Sequence, residues 1–307
     1  MKIGLIGNIV LDEIRTIDGT VTKSWGGAFY SIATFHKLLK EGETLLPATP
    51  VGYDIWDNVI LDLSMMDRID TSALHRSEFP NNKVNLRYKN ENERVEIAQD
   101  ILPPMEFEDL QPIMNTDAIL INFISGFEMG LQVLRRLREN YDGLMFLDIH
   151  SLLLGIDKKG IRFPQALPKW RDWAENFDCV QMNSVEAENL VNGESTYFAI
   201  QELAEDMVRN GIKVVNITLG SEGSLVVCRE GKNIKSSYIP AAITGDLVDP
   251  TGCGDAYGAA FALEYLRGSG IIKSAETANI VAGAVSRMSG VEGILSADLN
   301  RITGTDG

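Results

Sequence analysis

The run Asp249-Pro250-Thr251-Gly252-Cys253-Gly254-Asp255-Ala256-Tyr257-Gly258 gathers the residues best able to do chemistry in this 307-residue chain. Two glycines bracket one residue and small residues follow. This spacing predicts a helix whose first N–H groups stay free and whose dipole favours an anion at the N-terminus. Gly252, Cys253 and Gly254 would then form an oxyanion cradle, with Asp255 in the first turn beside whatever anion it holds. A carboxylate there either handles a proton or merely complements the dipole, and this stretch read alone favours the second. Asn183-Ser184-Val185-Glu186 has the spacing of a capping box, an Asn N-cap with Glu three residues later.

Other reactive residue types are thin. His36, His75 and His150 are scattered over a helix, a loop and a strand end, which argues against a metal site or a triad. His150 follows the strand-end Asp148, at the kind of crevice where open α/β sheets bind ligands, and carries no assigned role. Cys179, Cys228 and Cys253 are far apart and form no C-x-x-C pair, so neither a disulfide framework nor a zinc knuckle is expected.

These residues must be positioned by short apolar runs alternating with amphipathic stretches, the pattern of a mainly parallel sheet covered on both faces. The runs are Lys2 to Val10, Leu45 to Val51, Ala118 to Phe123, Leu144 to Asp148, Cys179 to Met182 and Val214 to Leu219. Phe29, Ile32, His36 and Leu39 fall at helical spacing, which places Gly26-Gly27 on a strand-to-helix connection. Further on, Gly223 to Cys228 and Lys232 to Tyr238 read as antiparallel about Glu230-Gly231, and Ala275 to Met288 reads as a helix. Two hairpins break the alternation, Glu13 to Lys23 about Asp18-Gly19 and Lys83 to Ile97 about Asn90 to Asn92. They are expected to form a small β sheet off the main core, a lid over a site rather than surface decoration. Val84, Leu86 and Tyr88, with Val95 and Ile97, are expected to share its apolar face, covering substrate or a second subunit. The expectation is one α/β domain over residues 1–307, with lid segments at about 13–23 and 83–97 inserted in it.

With the string Asp249 to Phe261 in view, the chain resembles the ribokinase-like, or PfkB, family of carbohydrate kinases, whose second signature is close to D-T-x-G-A-G-D-x-F. Other pieces fall in family order: Gly7-Asn8 with Asp12, Gly26-Gly27-Ala28, Val51-Gly52-x-Asp54, Asn183-x-x-Glu186 and Thr218-Leu219-Gly220-x-x-Gly223. The resemblance implies the ribokinase-like fold and transfer of the γ-phosphoryl group of ATP to a hydroxyl of a small sugar, polyol or nucleoside. It makes Asp255 the base for that hydroxyl, with the N–H groups of Gly252, Cys253 and Gly254 neutralising the transferring phosphoryl. Cys253 stands where the family usually has Ala. The thiol is expected to be buried and structural, although a helix N-terminus can lower a thiol pKa.

The resemblance also places Asn183 and Glu186 near Mg²⁺ and its waters, alongside their capping role, and Thr218, Gly220 and Gly223 along the nucleotide phosphates. It assigns Asp12, Gly26 and Gly27 to the acceptor and puts Ser31 where the family usually has Asn. K⁺ near Asp249 and Thr251 is a further implication, held mostly by main-chain carbonyls. Of the basic residues, only Lys23 and Arg87 on the lid are expected to reach the acceptor, which favours an unphosphorylated polyhydroxy compound. The Gly26 to Ser31 stretch and the Asp249-Pro250-Thr251-Gly252 string look similar to inositol-kinase-like and nucleoside-kinase-like branches rather than to ribokinase itself.

Composition bounds the alternatives. Lys plus Arg number 28 against 43 Asp plus Glu, a net charge of −15 that repels nucleic acid. Hydrophobic residues at 45% with 23% charged match a folded globular chain, and the opening MKIGLIGNIV reads as a buried strand rather than a targeting or membrane segment. A cytoplasmic protein, monomeric or dimeric through the lid, is expected. Neither the early G-x-G-x-x-G of a Rossmann oxidoreductase nor the G-x-x-x-x-G-K-[ST] of a P-loop kinase is present. The alternative function is a catalytically silent sugar- or nucleotide-binding regulator on the same fold.

Overall fold

The computed structural model describes residues 1–15, 19–90, 93–191, 196–242 and 246–304, without the side chains of 88–90, 93 and 94. Its centre is an eight-stranded sheet, an α/β arrangement as expected. Six strands run parallel in the order Val214–Thr218, Cys179–Asn183, Leu144–Asp148, Ala118–Asn122, Lys2–Ile6 and Thr44–Pro47. The antiparallel pair Gly223–Glu230 and Asn233–Pro240 extends one edge, close to the expected hairpin. Alternate residues feed two apolar layers. Leu120 and Phe146 enter one, with Phe29 and Phe261, while Ile119, Ile121 and Met145 enter the other. Burial on both faces is why these strands read as continuous apolar runs rather than as alternation.

The helix Cys253–Leu266 packs between the sheet and the helices Ala28–Leu38 and Ile271–Val285. Its buried Ala256, Ala259, Ala260 and Ala262 allow that close approach. The helix Ile271–Val285 begins four residues before the expected Ala275, directly after Gly270 at φ 78°.

One expected strand is two. The run Lys2 to Val10 breaks at Gly7-Asn8, so Lys2–Ile6 stays in the central sheet and Ile9–Arg15 leaves for a second sheet. Apolar content is the same on both sides of the break, which hides it from a hydropathy reading. The run Leu45 to Val51 splits likewise, into Thr44–Pro47 and Pro50–Gly52. The second sheet has the order Val21–Gly27, Ile9–Arg15, Lys83–Asn90, Glu93–Gln99, with Ile9–Arg15 and Lys83–Asn90 parallel. It therefore begins earlier than the expected 13–23 segment. Asp18 and Asn92, expected at the two turns, lie outside the described residues, as does the Tyr88 side chain.

Register corrects the expected apolar face. Leu86 pairs with Glu96 and Val84 with Ala98, whereas Val95 and Ile97 pair with Arg87 and Asn85. Opposed residues share a face, so Val95 and Ile97 lie on the side away from Val84 and Leu86. Asp54, from the Val51-Gly52-x-Asp54 stretch, anchors this sheet: it accepts the Asn81 N–H at 2.8 Å and pairs with Lys83 Nζ at 2.9 Å. Backbone and ion-pair contacts hold the Asp54 carboxyl below the usual range, against the opposing effect of desolvation.

Candidate active site

A cavity of about 280 Å³ opens between the second sheet and the C-terminal ends of the parallel strands. Asn122, Asp148, Asn183 and Thr218, each the last residue of its strand, line it. That is where open α/β sheets bind ligands, because successive crossovers leave a crevice there. Pro250, Thr251, Gly252, Gly254 and Asp255 form another wall, and Val10, Asp12, Val84, Leu86 and Glu96 face them from the second sheet.

The helix start has the expected shape with one correction. Gly252 is the N-cap at φ 81°, in the left-handed region, and a Cβ there would collide with the Tyr30 ring. Asp249 Oδ1 accepts the Thr251 N–H at 2.9 Å and so shapes the turn that presents Gly252. The Cys253 N–H donates to the Pro250 carbonyl at 3.3 Å and is not free for the cradle, while Gly252 and Gly254 N–H have no protein acceptor among the described residues. Burial, then the charges of Asp249 and Asp255, push the Cys253 thiol up to about 12, so the helix end does not activate it.

Asp255 Oδ1 accepts from Asn122 Nδ2 at 3.1 Å and from Ser31 Oγ at 3.5 Å. Burial pushes its carboxyl up to about 6, opposed by the His150 cation and the Asn122 hydrogen bond. Ser31, expected at the acceptor, is fully buried behind the wall and is tied to Asn122 Nδ2 at 2.8 Å. It braces Asp255 rather than lining the cavity.

On the opposite side Asn183 and Glu186 form the complete capping box. Asn183 Oδ1 accepts the Glu186 N–H at 2.9 Å, and Glu186 Oε2 accepts the Asn183 N–H at 2.8 Å. Glu186 Oε1 also meets His150 Nδ1 at 2.6 Å. Desolvation would lower the His150 pKa, but that hydrogen bond and the charges of Glu186, Asp148 and Asp255 raise it to about 9. Asp148 is raised well above the carboxylate range by burial and by the Glu186 charge. Gln181 Nε2 bridges Asp148 Oδ2 at 3.0 Å and the Gly254 carbonyl at 2.8 Å, joining the two walls. Thr218 lines the cavity, whereas Gly220 at φ 60° and Gly223 at φ 114° turn the chain beyond it.

Across the cavity, Asp12 lies against Gly26, where any Cβ would strike its carboxylate. Gly26 thus leaves room for the Asp12 carboxylate, while Gly27 at φ 59° lines the cavity and turns the strand into a helix. Neither Lys23 nor Arg87 lines the cavity; Arg162 does. Sequence reasoning missed Arg162, Asn122 and Gln181. The available signal was Asn122 at the end of one apolar strand and Gln181 inside another.

Residues 157–297 match the model of the pfkB family carbohydrate kinases. A ribokinase of Arabidopsis thaliana is 34% identical over 95 residues, which cover 31% of this chain and 24% of that one, so the match spans about a quarter of that relative. The fold is similar to that of Giardia lamblia ribokinase, with a TM-score of 0.78 at 16% identity and 99% of each chain covered. It is also similar to the nucleoside kinase of Methanocaldococcus jannaschii, with a TM-score of 0.72 at 20% identity, covering 99% of this chain and 98% of that one. The fold is thus ribokinase-like, and residues 157–297 carry a likeness to the pfkB family carbohydrate kinases. No helix among the described residues is long and apolar enough to cross a membrane.

Proposed function

We propose that the chain is a kinase that moves the γ-phosphoryl group of ATP to a hydroxyl of a small unphosphorylated sugar, polyol or nucleoside. The observation that carries this reading is Asp255 at a helix start whose Gly252 and Gly254 N–H groups have no protein acceptor among the described residues, sharing one cavity with Asp12 and the Asn183–Glu186 pair. Ionised Asp255 takes the proton of the acceptor hydroxyl as its oxygen bonds to the γ-phosphorus and the bond to the ADP oxygen breaks. The two N–H groups neutralise charge on the transferring phosphoryl. Asn122 and Ser31 aim the Asp255 carboxylate.

The donor set fits Mg²⁺ held through water. Glu186 and Asp148 offer hard oxygen, yet the described residues contain no cluster of three His, Cys, Asp or Glu side chains that could cage a metal. A cation that keeps its waters and binds substrate phosphates needs no such cage. Mg²⁺ would supply neutralisation of phosphate charge there. K⁺ at the Asp249–Thr251 turn would be held by main-chain carbonyls, and replacing K⁺ by Na⁺ in the assay tests it. Residues 1–307 act as one domain in this reading, and the second sheet is a lid that excludes water from the reacting phosphoryl.

ADP release measured against a panel of sugars, polyols and nucleosides tests the function. Acceptor-dependent release supports it; tight binding of ATP and acceptor without release would instead fit a silent regulator. A second expectation concerns Asp12. Asp12→Ala should raise the acceptor KM about 10- to 100-fold, the range for charge-assisted hydrogen bonds, and leave the ATP KM within twofold. An equal rise in both would take Asp12 out of the acceptor site.

A further inference from the structure

Arg162 begins the short strand Arg162–Pro164, which pairs antiparallel with Leu154–Ile156 and brings the guanidinium into the same cavity as Asp12 and Asp255. Its Nη1 donates to Ser151 Oγ at 3.2 Å and its Nη2 to the Ile124 carbonyl at 2.9 Å. Nε is shut from solvent and has no partner among the described residues. A guanidinium carries five N–H donors, so these two bonds leave most of its capacity unmatched. Among the described residues no ion pair ties Arg162 to a carboxylate, although Glu96, Glu128 and Asp12 all exert a field on it.

The guanidinium is also held in place. Glu128 accepts the N–H groups of Ile124, Ser125 and Gly126 at 2.9, 2.6 and 3.0 Å, which fixes the loop whose Ile124 carbonyl receives Nη2. Ser151 Oγ donates to the same carbonyl at 2.7 Å. A buried cation is costly unless an anion completes it, and a preorganised one implies that the anion arrives with the ligand.

Resting on the kinase reading above, we propose that the phosphoryl acceptor carries a carboxylate that pairs with Arg162, which makes the substrate a sugar acid or polyol acid. A planar carboxylate matches one guanidinium edge through two parallel N–H···O bonds. A phosphate fits the same edge, but its second charge calls for a further cation. Arg162 is the sole Lys or Arg among the described residues lining the cavity, and the second sheet adds the carboxylates of Asp12 and Glu96.

The test uses matched sets in which an aldonate or uronate, its neutral polyol or aldose counterpart, and the corresponding 6-phosphate are compared on the full chain. Binding is measured by calorimetry and turnover by ADP release. The acid member of at least one set should bind, and be turned over by kcat/KM, about 10- to 100-fold better than its neutral partner. Arg162→Gln should shrink that preference to within threefold, and Arg162→Lys should restore part of it. If neither variant folds, the acid-against-neutral comparison on the parent still decides. Neutral members bound as well as acids, phosphates preferred over both, or a preference that survives Arg162→Gln would overturn the proposal. Acids that bind through Arg162 with no ADP release from any set would sink the kinase reading and leave this pairing standing.

Discussion

Asp255→Asn is expected to fold, to bind ATP, and to turn over about 10² to 10⁴ times more slowly than the parent, the range for loss of a positioned general base. The isosteric amide keeps contact with Asn122 and Ser31 after one amide flip, so the loss should fall on kcat rather than on either KM. The pH profile separates a base from a merely structural carboxylate. Because the parent Asp255 sits at about 6, its kcat should fall on the acid side through that pH, and the limb should vanish in the variant. Stability should move the other way. A carboxyl raised above its unfolded value of 3.8 favours folding below about pH 4 and loses that contribution as pH rises through about 6. Ionised Asp255 is therefore a cost at neutral pH, and Asp255→Asn should melt higher than the parent at pH 7.5 and not at pH 4. Turnover within threefold of the parent would remove Asp255 from the role of base.

Gly252→Ala and Gly254→Ala are expected to separate the cradle's architecture from its chemistry. At Gly252 the backbone sits at φ 81° and the added Cβ meets the ring of Tyr30, itself only 4% exposed. Left-handed strain and overpacking each cost about 1–3 kcal/mol, so this variant should lose both thermal stability and turnover. At Gly254 the nearest atom to an added Cβ is Gln181 Nε2 at 3.9 Å, so nothing in the fold resists the methyl group. It would instead project into the space where the N–H must approach an anion. Gly254→Ala should keep the parent melting temperature and lose turnover about 10-fold or more, toward the 10² to 10³ seen when one oxyanion donor is removed. A Gly254→Ala protein with parental kcat would show that this N–H does not face the reacting group.

Several parts of the molecule were legible in the sequence because the forces that set them act over a few residues. The helix start at Gly252 to Asp255 and the capping box of Asn183 and Glu186 depend on contacts three or four positions apart. The six parallel strands announced themselves because burial on both faces demands apolar side chains at every position. Tertiary structure alone decided which side chains meet across the cavity. Pairing Arg87 with Val95 put Val95 and Ile97 on the face away from Val84 and Leu86, since a one-residue change of register exchanges the two faces of a strand. Asn122 comes to Ser31 and Asp255, and Arg162 to the Ile124 carbonyl, across 91, 133 and 38 residues of sequence. A residue type advertises what it can bind. The strand order and register that set its neighbours are a sum of contacts over the whole sheet, and no local stretch of sequence carries that sum.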